Sequence, residues 1–220
     1  MRYLSQIALV SLALLSLLPG NLAAQLEMVE GLVPGTTQKW IKVYQGEIAD
    51  ETLLQETVYH PNDNPWKMVK YNRETATERW QWFYENENPL WAATLVDQSL
   101  QGRYQHWYEN GMVAEILHFV DNIEHGPASY FYRSGQIAME GHYEQGRMVD
   151  FTFYDQMGQP FTGSWEWHVF PTRLLRMKGA VVNGKMEGEW FYGQTADANS
   201  GDRITFHVRY ENGVAVPLVN

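Results

Sequence analysis

From about residue 57 onward, apolar and polar residues alternate with a period of two, in short runs separated by polar breaks. Trp80, Trp82 and Tyr84 alternate with Gln81, Phe83 and Glu85, and residues 86–89 end the run. A second alternating run follows, and residues 97–102 break it. Side chains on a strand point to opposite faces in turn, so this pattern predicts strands; no run of ten residues offers the 3.6-residue stripe of a helix. The runs are rich in Trp, Tyr, Phe and Val, and the breaks hold Asn-Pro, Asn-Gly and Ser-Gly. Asn110-Gly111 and Ser134-Gly135 signal hairpins, because turns that need positive φ select Asn and Gly.

The runs recur. VYHPNDNP at 58–65, WFYENENP at 82–89, HWYENGMV at 106–113 and YFYRSGQI at 130–137 each begin 24 residues after the last. Tyr84, Tyr108 and Tyr132 fall in one column, Phe83, Trp107 and Phe131 in another, and Asn62, Asn86 and Asn110 in a third. Asp97 aligns with Asp121, Gly102 with Gly126, and His118 with His142. Such a period marks a repeat array. Two strands of about seven residues and two turns of four to five fill each unit. The expected fold is therefore all-β, an elongated antiparallel meander of tandem 24-residue hairpins forming a single-layer twisted sheet. Residues 57–150 hold the regular units. Residues 25–56 read as an N-terminal cap, which repeat arrays need to cover their last apolar surface. Residues 151–220 continue the pattern with insertions near 169–176 and 194–202, and close on Tyr210-Glu-Asn-Gly213.

Residues 1–24 stand apart. Arg2, an apolar run at 7–19 and small residues ending at Ala24 have the layout of a cleavable secretory signal, and the run is short for a membrane span. The expected location is periplasmic or secreted, with cleavage after Ala24. With no cysteine in the chain, lipid attachment at the new terminus is excluded and stability must come from packing without disulfides. The net charge of −10 disfavours nucleic acid and anionic bilayers, and no run of Lys or Arg makes a local exception.

The phrases Trp107-Tyr-Glu-Asn-Gly111, Glu115 and Asp121-Asn-Ile-Glu-His-Gly126 resemble the MORN repeats, in particular their bacterial variant. Residues 130–146 match the same order, with Asp150 where a closing glycine belongs, and residues 183–192 match half a unit. The units at Val58 and Trp82 match weakly, having Asn62-Asp63 and Asn86-Glu87 in place of Asn-Gly, and residues 25–56 do not match. The resemblance implies an elongated sheet used for protein or lipid contacts and carries no catalytic motif. Some bacterial members are labelled antitoxins, but the export signal argues against a cytoplasmic antitoxin.

Candidate chemistry is sparse. A single-layer sheet cannot bury both faces, so Trp82, Tyr84, His106, Tyr108, Tyr130 and Tyr132 are the candidate binding strip, unless the sheet curls or the C-terminal insertion covers that face. His118 and His142 are equivalent positions two strands apart, about 9–10 Å in a meander, which suits no single metal ion. Gly102 and Gly126 either make room for a ring over the backbone or permit a tight turn. Residues 179–185 imitate a phosphate-binding loop, but Met186 follows where a hydroxyl is needed, in a strand-turn-strand setting. Glu187 and Glu189 share a face by alternation, as a hydrolase pair would. The expectation is a non-enzyme without metal or cofactor that engages a protein partner through its sheet. A carbohydrate platform of Trp82, His106 and Tyr130 is the alternative, lipid is possible, and a hydrolase is a third reading.

Overall fold

The computed structural model describes residues 8–9, 26–46, 48–169, 174–194 and 203–216. The leader and its cleavage site, apart from residues 8–9, lie outside the described residues, as do most of the 194–202 loop and residues 170–173 of the first insertion. Nineteen strands are described: β1 (Ala8–Leu9), β2 (Leu26–Leu32), β3 (Lys39–Gln45), β4 (Leu53–Tyr59), β5 (Pro65–Asn72), β6 (Thr77–Phe83), β7 (Pro89–Val96), β8 (Ser99–Leu100), β9 (Gly102–Trp107), β10 (Val113–Val120), β11 (Ile123–Glu124), β12 (Gly126–Phe131), β13 (Ile137–Glu144), β14 (Arg147–Phe153), β15 (Gly163–Val169), β16 (Leu174–Val182), β17 (Lys185–Gln194), β18 (Arg203–Glu211) and β19 (Val214–Val216). One short 3₁₀ turn, Asp50–Thr52, is the only helical element among the described residues. Strands pair antiparallel in chain order, β1 to β14 in one large open sheet and β15 to β19 in a second. The meander of consecutive hairpins expected from the repeat is what the chain forms.

The period of 24 is written into the turns. At His60, Tyr84, Tyr108, Tyr132 and Asp155 the same loop recurs: the first residue's N–H donates to the carbonyl four residues on, at 2.7–2.9 Å, and its own carbonyl accepts from the N–H three residues on. The fourth loop residue is left-handed in every copy, at Asp63, Glu87, Gly111, Gly135 and Gly158. This explains the Asn-Gly phrase and shows that Asp63 and Glu87 occupy the same conformation without glycine. Asn62, Asn86 and Asn110 each accept, through Oδ1, the N–H two residues on at 3.1 Å. The other turn is a two-residue hairpin with positive φ at both positions at Asp97-Gln98, Asp121-Asn122, Gln145-Gly146 and Asn183-Gly184, whereas the unit that begins at Val58 has a four-residue turn between Asn72 and Thr77 with positive φ at Ala76.

Gly102 and Gly126 bend their strands. Their φ values are +71° and +99°, and a Cβ on either would meet no ring. Of the two readings of these glycines, the backbone one holds. Asp150, in the same column, has φ +53°, and Gly188 repeats the bend at +69°. Rings lie over glycine elsewhere: Trp40 covers Gly31 and Phe151 covers Gly141, where an added Cβ would come within 2.6 Å of each ring. Since only glycine enters the left-handed region without strain, Asp150→Gly should stabilise the fold by up to about 1 kcal/mol, read as a melting temperature raised by about 2–4 °C.

The chain divides into two compact units, one running to Val113 with Phe119–Asn122, the other comprising Ala114–His118 and everything from Ile123. In the first, Val29, Tyr44 and Leu53 form a small core with Trp40 and Tyr71 against it. The first unit is a single layer of sheet. In the second unit the single-layer expectation needs correcting, because the second sheet packs on β12–β14. Phe153 meets Trp165 and Trp190 at ring distances of 5.1 and 5.4 Å, Tyr130 meets Trp167 at 5.8 Å, and Lys185 Nζ donates to Thr152 at 2.9 Å. Tyr130, Met139, Phe153, Met177, Val181 and Trp190 are fully buried there. The C-terminal strands β15–β19, rather than the insertions between them, thus supply a second layer.

Candidate functional site

The six residues of the expected strip do not form one surface. His106 (4% exposed), Tyr108 (9%) and Tyr130 (0%) are buried, and Trp82, Tyr84 and Tyr132 are half-buried. Tyr130 lies beneath the second sheet, its hydroxyl 2.9 Å from that of Tyr143. The tyrosine column serves the array itself. Tyr84 donates its hydroxyl to the Trp107 carbonyl at 2.9 Å and Tyr132 to that of Tyr154 at 2.7 Å, so each copy is tied to the start of the next copy's loop. His60, in the same column, places Nε2 3.4 Å from the Phe83 carbonyl. Asn64 and Asn88 add amide donors to the Glu85 and Glu109 carbonyls. A platform of Trp82, His106 and Tyr130 for sugar rings is not present, since two of its three rings are covered.

The available aromatic surface is a different set. In the first unit, alternation puts Trp82 on β6, Trp91 on β7 and Tyr104 on β9 on one face, and rings run across the strands without a gap. Trp66 meets Trp82 edge-on at 4.8 Å, Trp82 stacks on Trp91 at 5.6 Å, Trp91 on Tyr104 at 6.2 Å, and Tyr104 meets Phe119 edge-on at 5.9 Å. All five rings are half-buried. The ammonium of Lys67 sits 4.2 Å over the Trp80 ring, and Trp80 Nε1 donates to Glu78 at 2.7 Å. Ring pairs of this geometry hold one another in place beyond their buried area. The result is a pre-ordered strip of ring faces with charges beside it. Trp66 and Trp91 stand outside the tyrosine columns of the repeat, so the period does not single them out; cross-strand register sets Trp91 opposite Trp82, and Trp66 meets Trp82 from the register shift between β4 and β5.

A second concavity lies within the second unit. An open groove of about 950 Å³ is lined by Tyr143, Met148, Met177, Tyr192 and Tyr210, with Glu144 among the polar lining residues. Tyr192 and Tyr210 share a hydroxyl contact of 2.9 Å, and Tyr192 also reaches the Met148 sulfur at 3.7 Å. Burial raises both phenols above their ordinary value, Tyr192 by a wide margin. They are therefore neutral donors and acceptors at any physiological pH, and this groove offers hydrogen bonds in an apolar setting.

The remaining motifs resolve as structure. Residues 179–185 are the end of β16 and its hairpin turn. Glu187 accepts the Asn212 N–H at 2.9 Å, and neither it nor Glu189 lines the groove. His118 Nδ1 lies 2.9 Å from the Pro127 carbonyl, while His142 faces Glu144 at 3.5 Å.

Fold and surface together define a tandem β-hairpin repeat protein whose copies are tied turn to turn by side-chain hydrogen bonds. Residues 100–121 and 124–145 match the MORN repeat variant family as two adjacent repeats, and the structure extends the same turn geometry to His60 on one side and Asp155 on the other. No curated protein matches the chain.

Proposed function

We propose that this protein is a non-catalytic binding or scaffolding module that docks a protein partner on the ring ladder of its first unit, in the bacterial envelope. MORN repeats occur in protein and membrane binding. The observation that carries the protein reading is the ladder Trp66–Trp82–Trp91–Tyr104–Phe119 on a single sheet layer, edged by Lys67 and Glu78. Tryptophan and tyrosine dominate the residues that carry protein–protein affinity, and ordered rings lose little entropy on docking. The envelope location rests on the leader-like composition of residues 1–24 alone.

Affinity capture from envelope extracts tests this reading. The wild-type chain should retain a partner that Trp91→Ala loses by about thirtyfold in affinity, the effect of one central tryptophan of about 2 kcal/mol. Capture of nothing above background by the wild type, or equal capture by the variant, would sink it.

A further inference from the structure

The face opposite the ring ladder carries a row of cations that no run in the sequence announces. Register sets Lys70 directly opposite Arg79, and Arg79 opposite Thr94. The Ala92–Gln105 pairing continues that row to Arg103 on β9, and makes the parallel row Met68, Gln81, Ala92, Gln105. A shallow concavity of about 310 Å³ lies over both rows. At a strand spacing of about 4.8 Å, the three cationic side chains spring from within about 15 Å of one another.

Neither row holds an Asp or Glu, although the chain has 26 acidic residues against 16 basic ones. Among the described residues none of the three cations enters an ion pair. Like charges directly opposite on paired strands destabilise a sheet. Lys70 against Arg79 is such a pair with no carboxylate beside it, so the row works against stability as it stands.

We propose that this row is a docking site for an acidic segment of a protein chain, distinct from the ring ladder and independent of what binds there. Arg79 and Arg103 present guanidinium forks on either side of the Thr94 hydroxyl, a spacing that serves successive carboxylates. Gln81 and Gln105 each donate and accept through their amides, which matches the N–H and C=O groups of an extended peptide. An anionic bilayer approaches the whole molecule and meets its net charge of −10, whereas a single acidic segment meets only the row.

Fluorescence anisotropy with a labelled peptide of about twelve residues, alternating Glu and Ser so that it stays extended, tests the proposal. The wild type should bind it at low salt and release it in 0.5 M salt, an on–off contrast expected of about one Debye length of screening. The double substitution R79Q/R103Q should weaken binding by at least about tenfold, while the melting temperature stays level or rises because repulsion is relieved. Arg209→Gln and Trp91→Ala, both off this face, should leave the peptide affinity unchanged. No peptide binding by the wild type, or unchanged binding by R79Q/R103Q, overturns the proposal. A fall in melting temperature alongside lost binding assigns the cations a structural role and also overturns it. Binding of vesicles of equal phosphatidylglycerol and phosphatidylcholine in place of the peptide, abolished by R79Q/R103Q, replaces the peptide with a lipid surface.

Discussion

Trp190→Ala should lower the unfolding free energy of the second unit by about 4 kcal/mol, the range for truncating a fully buried tryptophan. The ring is 0% exposed and lies against Phe153 and Tyr210, with Nε1 donating to the Ala180 carbonyl at 3.0 Å. It also lies over Gly179, so close that any Cβ there would overlap it. Truncation removes the largest fully buried side chain and leaves a cavity facing bare backbone that cannot collapse into it. Phe191, the next residue and half-buried against His207, should cost about 1 kcal/mol when cut back to alanine. Urea unfolding followed by near-ultraviolet circular dichroism measures both. If Trp190→Ala costs no more than Phe191→Ala, the second sheet does not pack on the first as described.

Acidification should weaken the first unit through His106. Burial lowers this imidazole from its ordinary 6.5 to about 4, because the charged form loses its hydration there. Between those values the unfolded chain binds a proton that the folded chain refuses, so stability rises with pH across the window. The contribution is complete above about pH 6.5, is lost as pH falls toward 4, and amounts to about 3 kcal/mol. Carboxylates titrate in part of the same range, so the informative quantity is the difference between wild type and His106→Gln at each pH. That difference should shrink steadily from pH 7 to pH 4. A difference that stays constant would place His106 in water.

Where the repeat sets the geometry, the sequence was legible. The period of 24, the two-strand unit and both turn types follow from alternation and from the placing of Asn and Gly, and the turns at His60 and Tyr84 keep the loop although Asp63 and Glu87 replace glycine. Asp150 bends its strand where a glycine was expected, which shows that the column, not the residue type, specifies the bend. Burial was not legible. Alternation puts Trp82, His106 and Tyr130 in equivalent positions, but it cannot say that a second sheet covers Tyr130, because that sheet comes from residues 163 onward. The tyrosine column has the spacing of a surface strip and serves instead as the tie between copies, since a hydroxyl's reach to a carbonyl 22 or 23 residues away depends on the loop it meets. The cation row was hidden for a related reason. Arg79 and Arg103 are one period of 24 apart, as are Lys70 and Thr94, but spacing does not say that the two columns lie side by side; the hairpin registers do.

The ties between turns have a mechanical consequence. Tyr84 and Asn88 anchor their copy to the succeeding loop, so in the first unit load applied along the chain passes from one copy to its neighbour through these polar links together with the strand ladder. Stretching would then free the chain one hairpin unit at a time, in steps of about 8 nm of extended backbone, and each step would leave the untouched copies still clasped.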